Sequence, residues 1–279
     1  MKNIFYCVCL VAFSIAAQKS KAQTGVFPNE ESSDTMELVH LREADLAWAK
    51  LVWRYVDINE KMNLTLKYPL SAGHSDRKSL FDVFANNIHE NGLKAFGYEN
   101  DEFTTVMTWT QIERRAGAGN DTIETVSSEP PYNESKPLAI HREIEKEKII
   151  GYTLKELWYF DKKRSVMEVR IIGIAPMLYA MDENRNVREG NFKIPLFWIY
   201  YPQARQFLAK ERAYQAHNDV SLLTYDDIFQ RRLFASVIIK ESNVFDRRID
   251  EYSQGVNALL ESERIKNEIL NFEHDMWEF

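Results

Sequence analysis

An alternation of apolar and charged residues in the middle third most restricts the fold of this chain. Met167, Val169 and Ile171 alternate with Glu168 and Arg170. A period of two is typical of a half-buried β-strand, because successive side chains point to opposite faces of a sheet. This part of the chain therefore predicts antiparallel sheet.

Segments beside this pattern complete the predicted sheet. Strands at residues 154–160 and 165–174 are joined by the polar turn at 161–164, and a third strand is predicted at residues 192–201. Pro195 lies inside the third strand, where it favours an edge position or a bulge because it cannot donate a backbone hydrogen bond. The threonine-rich and β-branched residues 103–109 also favour a strand.

Helical periodicity flanks this region on the N-terminal side. Apolar residues recur at steps of three and four between residues 41 and 62, which predicts a long amphipathic helix. Residues 79–91 predict a second helix, and Gly92 can adopt the left-handed conformation that ends it.

The last third of the chain also favours helix. Thr224, followed by two aspartates, predicts a capped helix that runs through Ile239. A final helix places these apolar residues on one face: Ile265, Ile269, Phe272 and Met276. The fold class predicted is α+β, with an antiparallel sheet in the middle third packed with long N-terminal and C-terminal helices.

The first 22 residues have the composition of a secretory signal peptide. Lys2 precedes an apolar run at residues 4–17, and Ser20 and Ala22 suit the cleavage site. Cleavage after Ala17 is a weaker alternative. A membrane anchor is another, but the run is shorter than the roughly 20 residues of a spanning helix. Residues 1–22 are therefore predicted to be removed.

Loss of this leader changes the chemistry open to the mature chain. The only cysteines, Cys7 and Cys9, lie within it, so disulfides, thiolate nucleophiles and cysteine-bound zinc are excluded from the mature protein. Loss of three lysines takes the net charge from -7 to -10. Such an acidic chain is expected to bind no nucleic acid. No second apolar run approaches spanning length, so we expect no direct membrane span.

The remaining chain divides into an arm and a folded body. Residues 23–35 are polar and lack an apolar period, which predicts a flexible arm. Residues 36–279 are expected to form a single α+β domain. Glycine, asparagine, aspartate, serine and two prolines in residues 117–135 predict a long exposed loop.

Motifs for catalysis or ligand binding are missing or incomplete. No two of the six histidines have the spacing that places two metal ligands on one helix face. A partial calcium loop at Asp182 has Val187 where glycine is needed and Lys193 where glutamate is needed. No G-x-S-x-G motif occurs, and the many acidic residues single out no catalytic pair. We predict no catalytic, cofactor-binding or metal-binding residue and no cofactor.

Aromatic residues are the most suggestive remaining feature. Most are expected in the core, but Trp53 lies off the apolar face of the predicted first helix, and Trp277 and Phe279 end the chain. Exposed aromatic rings are typical anchors of protein interfaces. These three residues are candidate partner contacts, although isolated surface aromatics are also common.

Five segments of the chain carry a resemblance to a known family. They are READLAWAKLVWRYVDINEKMN at 42–63, FDKKRSVMEVRIIGIAP at 160–176, LFWIYYPQAR at 196–205, RRLFASVIIKESNVFDR at 231–247 and the closing LLESERIKNEILNFEHDMWEF. These segments resemble the gliding motility protein family GldN, called PorN in non-gliding bacteria. They occur in the family's order and together span nearly all of the mature chain.

The resemblance implies a non-enzymatic, periplasmic component of the type IX secretion system. The partners it implies are the lipoprotein GldK (PorK), the periplasmic part of GldM (PorM) and the GldL (PorL) motor, with several copies of the chain in a ring beneath the outer membrane. Two other hypotheses stay open: a peptide- or solute-binding module whose strand at residues 197–201 lines a groove, and a carboxylate-dependent hydrolase.

Overall fold

The computed structural model describes residues 35, 37–70, 77–99, 101–126, 135–181, 187, 188, 190, 192–215 and 222–277. The predicted signal peptide lies outside these residues. So does the predicted arm, except for its last residue, Thr35.

Eight of the described strands form one antiparallel sheet. The described strands are β1 (Leu46–Asp57), β2 (Ala95–Phe96), β3 (Val106–Met107), β4 (Gly119–Val126), β5 (Ser135–Arg142), β6 (Gly151–Asp161), β7 (Val166–Tyr179), β8 (Lys193–Pro195), β9 (Trp198–Tyr200) and β10 (Val237–Glu241). The large sheet has the order β10-β1-β6-β7-β9-β2-β3, and β8 pairs with β7 beside this path.

The described α-helices lie between and after the strands. They are α1 (Leu64–Lys67), α2 (Leu80–Glu90), α3 (Trp109–Arg115), α4 (Tyr201–Leu208), α5 (Tyr225–Gln230), α6 (Ile249–Tyr252) and α7 (Val256–Trp277). The α+β class and the final helix are confirmed. The helix predicted at residues 79–91 is confirmed as α2, with Ser79 as its hydrogen-bonded N-cap and Gly92 at a φ of 70°.

The long N-terminal helix predicted at residues 41–62 is wrong, because this segment contains strand β1. β1 pairs with β6 on one side and with β10 on the other. Val52 and Val56 are fully buried on one face of the strand, and Trp53 packs in a separate cluster on the opposite face. A strand covered on both faces lacks a clear alternation of apolar and polar residues, and here the apolar spacing imitates a helix.

The central hairpin is confirmed and is longer than predicted. β6 and β7 pair from Asp161 opposite Val166 to Gly151 opposite Met177. The Asp161 carboxylate accepts hydrogen bonds from the turn, including one of 2.9 Å from Arg164 Nε, which lowers the pKa of that carboxyl. Polar turn residues therefore define the hairpin, as the sequence indicated.

Other predicted strands differ from the observed ones. The strand predicted at residues 192–201 is divided into β8 and β9, and its last residue begins α4. Pro195 ends β8, which pairs with β7. Of residues 103–109, only Val106–Met107 forms a strand, because Thr108 caps α3.

Two further predictions, one of a helix and one of a loop, are also corrected. The helix predicted from Thr224 through Ile239 ends at Gln230 as α5, and its second part is strand β10. The loop predicted at residues 117–135 contains strand β4, which pairs with β5 in a two-stranded sheet. Backbone pairing thus replaces an irregular loop over residues 119–126.

Three apolar clusters surround the large sheet. The main cluster lies between one face of the sheet and helices α2, α4 and α5. A second cluster lies beneath α7, where Ile265 and Ile269 contact β1 and β10 residues. The third contains Trp53, Phe96, Ala175 and Trp198 and lies on the opposite face of the sheet. The sheet is therefore covered on both faces, but unequally.

Candidate protein-contact surfaces

An open cleft of about 660 Å³ lies on the sheet face that carries the third cluster. Trp53, Met177, Pro195 and Trp198 are among its lining residues. Trp53 is 8% exposed, so the prediction that its ring projects from a helix surface is wrong. Strand alternation turns this ring toward the cleft instead.

Asp101 joins two lining residues of the cleft through short polar contacts. The Trp53 indole Nε1 donates a 2.5 Å hydrogen bond to Asp101 Oδ2. The Lys155 ammonium lies 3.1 Å from the same oxygen and donates a 2.8 Å hydrogen bond to the Asp101 carbonyl. This carboxylate is thus neutralised by a cation and held in place.

Cations also cover the Trp53 ring. Lys155 Nζ lies 5.6 Å and Lys240 Nζ 4.6 Å from the ring centroid, distances at which a cation attracts an aromatic face. Lys240 also pairs with Asp246 at 2.6 Å. Two acidic residues of the cleft, Asp101 and Asp246, are therefore engaged by lysines.

The aromatic strand suggested as a groove wall is mostly buried. Phe197, Ile199 and Tyr201 belong to the main apolar cluster beneath the helices. Trp198 alone of these residues lines the cleft, on the opposite face of the sheet. The groove proposed for residues 197–201 is therefore wrong as a continuous surface.

A second surface, the aromatic turn, consists of Val244, Phe245, Arg247 and Tyr252. Val244 is 97% exposed and Phe245 is 72% exposed. The Asn243 side chain shapes the turn, because its Oδ1 accepts hydrogen bonds from the backbone N–H groups of Phe245 and Arg247 at 3.0 and 3.1 Å. An asparagine turn of this kind fixes the backbone while its apolar side chains face solvent.

Stacking orders the side chains of the aromatic turn. The Arg247 guanidinium lies 4.5 Å from the Phe245 ring centroid and 5.9 Å from that of Tyr252. The Tyr252 hydroxyl contacts Glu261 at 3.3 Å, which connects this surface to α7. Tyrosine and arginine are the residue types enriched at the energetic centres of protein interfaces.

Sequence reasoning missed the aromatic turn. The available signal was the pair Val244-Phe245 within a polar segment that runs from Asn243 to Arg248. Of the residues predicted as partner contacts, Trp277 is the last residue of α7, but its side chain is not among those described, and Phe279 lies outside the described residues.

Among the described residues, no group of three or more histidine, cysteine, aspartate or glutamate side chains is placed to hold a metal ion. Within the same ranges, none of the helices combines the length and apolar character needed to cross a membrane.

Comparison with known proteins identifies the family. No curated protein matches the chain. A family model described as gliding motility associated protein GldN matches residues 41–278, which is most of the chain and all of its large sheet from β1 to β10. The chain therefore belongs to the GldN family.

Proposed function

We propose that this chain is a non-enzymatic structural subunit of the periplasmic ring complex of the type IX secretion system. In that role it supports protein secretion across the outer membrane, and gliding motility where the cell glides. Its membership of a gliding motility family supports this proposal. The observation that carries it is the exposed aromatic turn, a preorganised apolar surface of the kind that binds other proteins.

The partners proposed are other periplasmic subunits. The lipoprotein GldK (PorK) would hold the chain at the inner face of the outer membrane. The periplasmic parts of GldM (PorM) and of the GldL (PorL) motor would contact the same ring, together with further copies of this chain. The acidic charge of -7 is compatible with a role that depends on protein contacts and not on binding anionic lipid.

We assign the aromatic turn to the contact with the lipoprotein partner. Phe245 would enter a pocket of that partner, and Arg247 would cover its ring from one side. Asn243 fixes the turn through backbone hydrogen bonds, so little conformational entropy is lost when the partner binds.

Affinity capture from cell envelopes tests this assignment. Phe245→Ala should weaken recovery of GldK (PorK) by about 30-fold, the effect of losing roughly 2 kcal/mol at an interface centre. Secretion of a type IX cargo protein should fall in parallel.

Phe192→Ala is the matched control, because Phe192 is a phenylalanine of similar exposure, at 64%, that lies outside the aromatic turn. This variant should retain recovery and secretion. Equal recovery of the lipoprotein by the Phe245 and Phe192 variants would contradict the assignment.

A peptide- or solute-binding module is the second candidate, and the cleft that contains Trp53 and Trp198 favours it. Trp198→Ala separates the two functions. Loss of secretion while the ring remains intact would favour ligand binding, whereas normal secretion would favour the structural role alone.

A further inference from the structure

Helix α7 contacts the body of the protein through one narrow face. Ile265 and Ile269 are 0% and 3% exposed, and Ser262 is 5% exposed. The Ser262 hydroxyl accepts a 3.0 Å hydrogen bond from the backbone N–H of Ile238 in β10. Most of the remaining circumference of this 22-residue helix faces solvent.

One strip of that exposed surface carries apolar and charged side chains at regular spacing. We call this strip the α7 seam. The seam consists of Val256, Leu259, Glu263, Lys266 and Leu270. Steps of three and four residues separate its members, so they lie within about a quarter of the helix circumference. Val256, Leu259 and Leu270 are 71%, 54% and 44% exposed, and the side chains of Glu263 and Lys266 are 61% and 46% exposed.

We infer that the α7 seam pairs with the α7 seam of a second copy of this chain, with the two helices antiparallel. When Leu259 faces Leu270 of the second copy, Glu263 faces Lys266 of that copy, and the same contacts repeat through the two-fold axis. Each of these layers joins either two leucines or two opposite charges, and Glu263 and Lys266 also pair within each helix at 3.5 Å. Val256 lies opposite Glu273 of the other copy at each end of the contact. A self-complementary surface of this kind is what a two-fold interface requires.

The charges select this arrangement over its alternatives. A parallel pair in register would place Glu263 against Glu263 and Lys266 against Lys266, and like charges in direct contact repel. An antiparallel pair shifted by one heptad would place Leu259 against Glu263 or Leu270 against Lys266. The pairing of Leu259 with Leu270 is the register that avoids both faults.

The contact between two α7 seams buries a small area, and this area determines how strongly two copies associate. One pair of helices buries less than the roughly 1,000 Å² of a stable interface, so the pairing is weak in dilute solution. Within an assembly, neighbouring copies have effective concentrations in the millimolar range, at which weak contacts form. A two-fold contact closes after two copies, so it cannot by itself generate a ring. The α7 seam is therefore expected to join copies in pairs after other contacts have gathered them.

Cysteine cross-linking of the full-length purified protein at high concentration tests the register. Leu259→Cys and Leu270→Cys are prepared separately, mixed in equal amounts and oxidised. The mixed disulfide should exceed either homodisulfide by about tenfold. In the inferred register the two copies of position 259 are 270 minus 259, or 11, residues apart along the axis, which is about 16 Å and too far for a disulfide.

Asn257→Cys mixed with Glu268→Cys is the matched control, because these two positions are also 11 residues apart but lie outside the seam. It should give no preferred mixed product. The wild-type protein, oxidised in the same way, shows how much cross-linking comes from Cys7 or Cys9. Homodisulfides equal to the mixed product, or no cross-link at any concentration reached, would overturn the inference.

A charge exchange gives an independent test. Glu263→Lys and Lys266→Glu should each self-associate several-fold more weakly than wild type in sedimentation experiments. An equimolar mixture of the two variants should recover the association, because lysines of one copy then face glutamates of the other. Failure of the mixture to recover would overturn the register. These measurements use purified protein alone, so their outcome is independent of binding to the lipoprotein.

Discussion

Glu156 is a fully buried charged residue at which loss of the charge should cost substantial stability. Its side chain is fully buried on β6, and both carboxylate oxygens contact Arg232 Nη2, at 3.0 and 3.2 Å. The Trp158 indole donates a 2.9 Å hydrogen bond to the same carboxylate. Burial lowers the pKa of nearby Arg54, and the Glu156 charge opposes this effect.

Glu156→Gln removes the charge but keeps a side-chain oxygen that can accept the hydrogen bond from the Trp158 indole. Arg54 and Arg232, both half-buried, then lose the anion that compensates their charges. Breaking a buried ion pair costs about 3–5 kcal/mol, and both the 33% exposure of the Arg232 side chain and the retained hydrogen bond favour the lower figure. At 2–4 °C per kcal/mol for a domain of this size, Tm should fall by about 6–12 °C.

Urea denaturation at pH 7 measures the free energy of unfolding, and calorimetry measures Tm. Glu268→Gln is the matched control, because Glu268 also pairs with an arginine, at 2.8 Å from Arg264 Nη1, but the two side chains are 58% and 55% exposed. It should cost at most about 0.5 kcal/mol. A Glu156→Gln variant within about 1 kcal/mol of wild type would refute the argument that this buried charge is compensated by the two arginines.

Two further predictions concern alkaline pH and helix docking. Burial and a 2.6 Å hydrogen bond to Glu168 raise the pKa of Tyr159 to about 12. A raised folded pKa gives stability that is complete below the ordinary tyrosine pKa of about 10 and is lost as pH rises toward 12. The stability difference between wild type and Tyr159→Phe should therefore narrow over that range, and a constant difference would contradict the prediction. Ile265→Ala should cost about 2–5 kcal/mol in urea denaturation, since Ile265 is fully buried on the face of α7 that packs against the sheet. A loss below about 1 kcal/mol would mean that α7 is not firmly docked.

The central hairpin and α2 could be predicted because local chemistry determines them. The alternation at residues 166–171, the turn held by Asp161 and the capping hydroxyl of Ser79 act within a few residues. Strand β1 could not be predicted in the same way. Its neighbours β6 and β10 lie about 100 and 180 residues later in the chain, and their pairing overrides a local apolar spacing that favours a helix.

The end of α5 had a partial signal in the sequence. Arg232 adopts a positive φ of 54° directly after α5, a conformation that sequence seldom reveals for arginine. The β-branched run Val237-Ile238-Ile239 favours a strand, and it forms β10. The hairpin of β4 and β5 was hidden because glycine, asparagine and proline indicate turns more strongly than strands.

The candidate contact surfaces were harder to predict than the fold. Trp53 was assigned to a surface because its helix face was inferred incorrectly, and the strand buries it beside Asp101. Phe245 was overlooked because two apolar residues in a polar turn form no period. Its exposure depends on the Asn243 hydrogen bonds that hold the turn, which appear only in the structure.

Gentle extraction of cell envelopes tests most directly whether this chain is a subunit of a large assembly. The extract is separated by size under conditions that keep the ring of the lipoprotein partner intact, and both proteins are followed by immunoblotting. The structural role predicts that nearly all of the chain elutes with the lipoprotein, far above the mass of a single copy. Elution of the chain as a monomer beside an intact lipoprotein ring would contradict it.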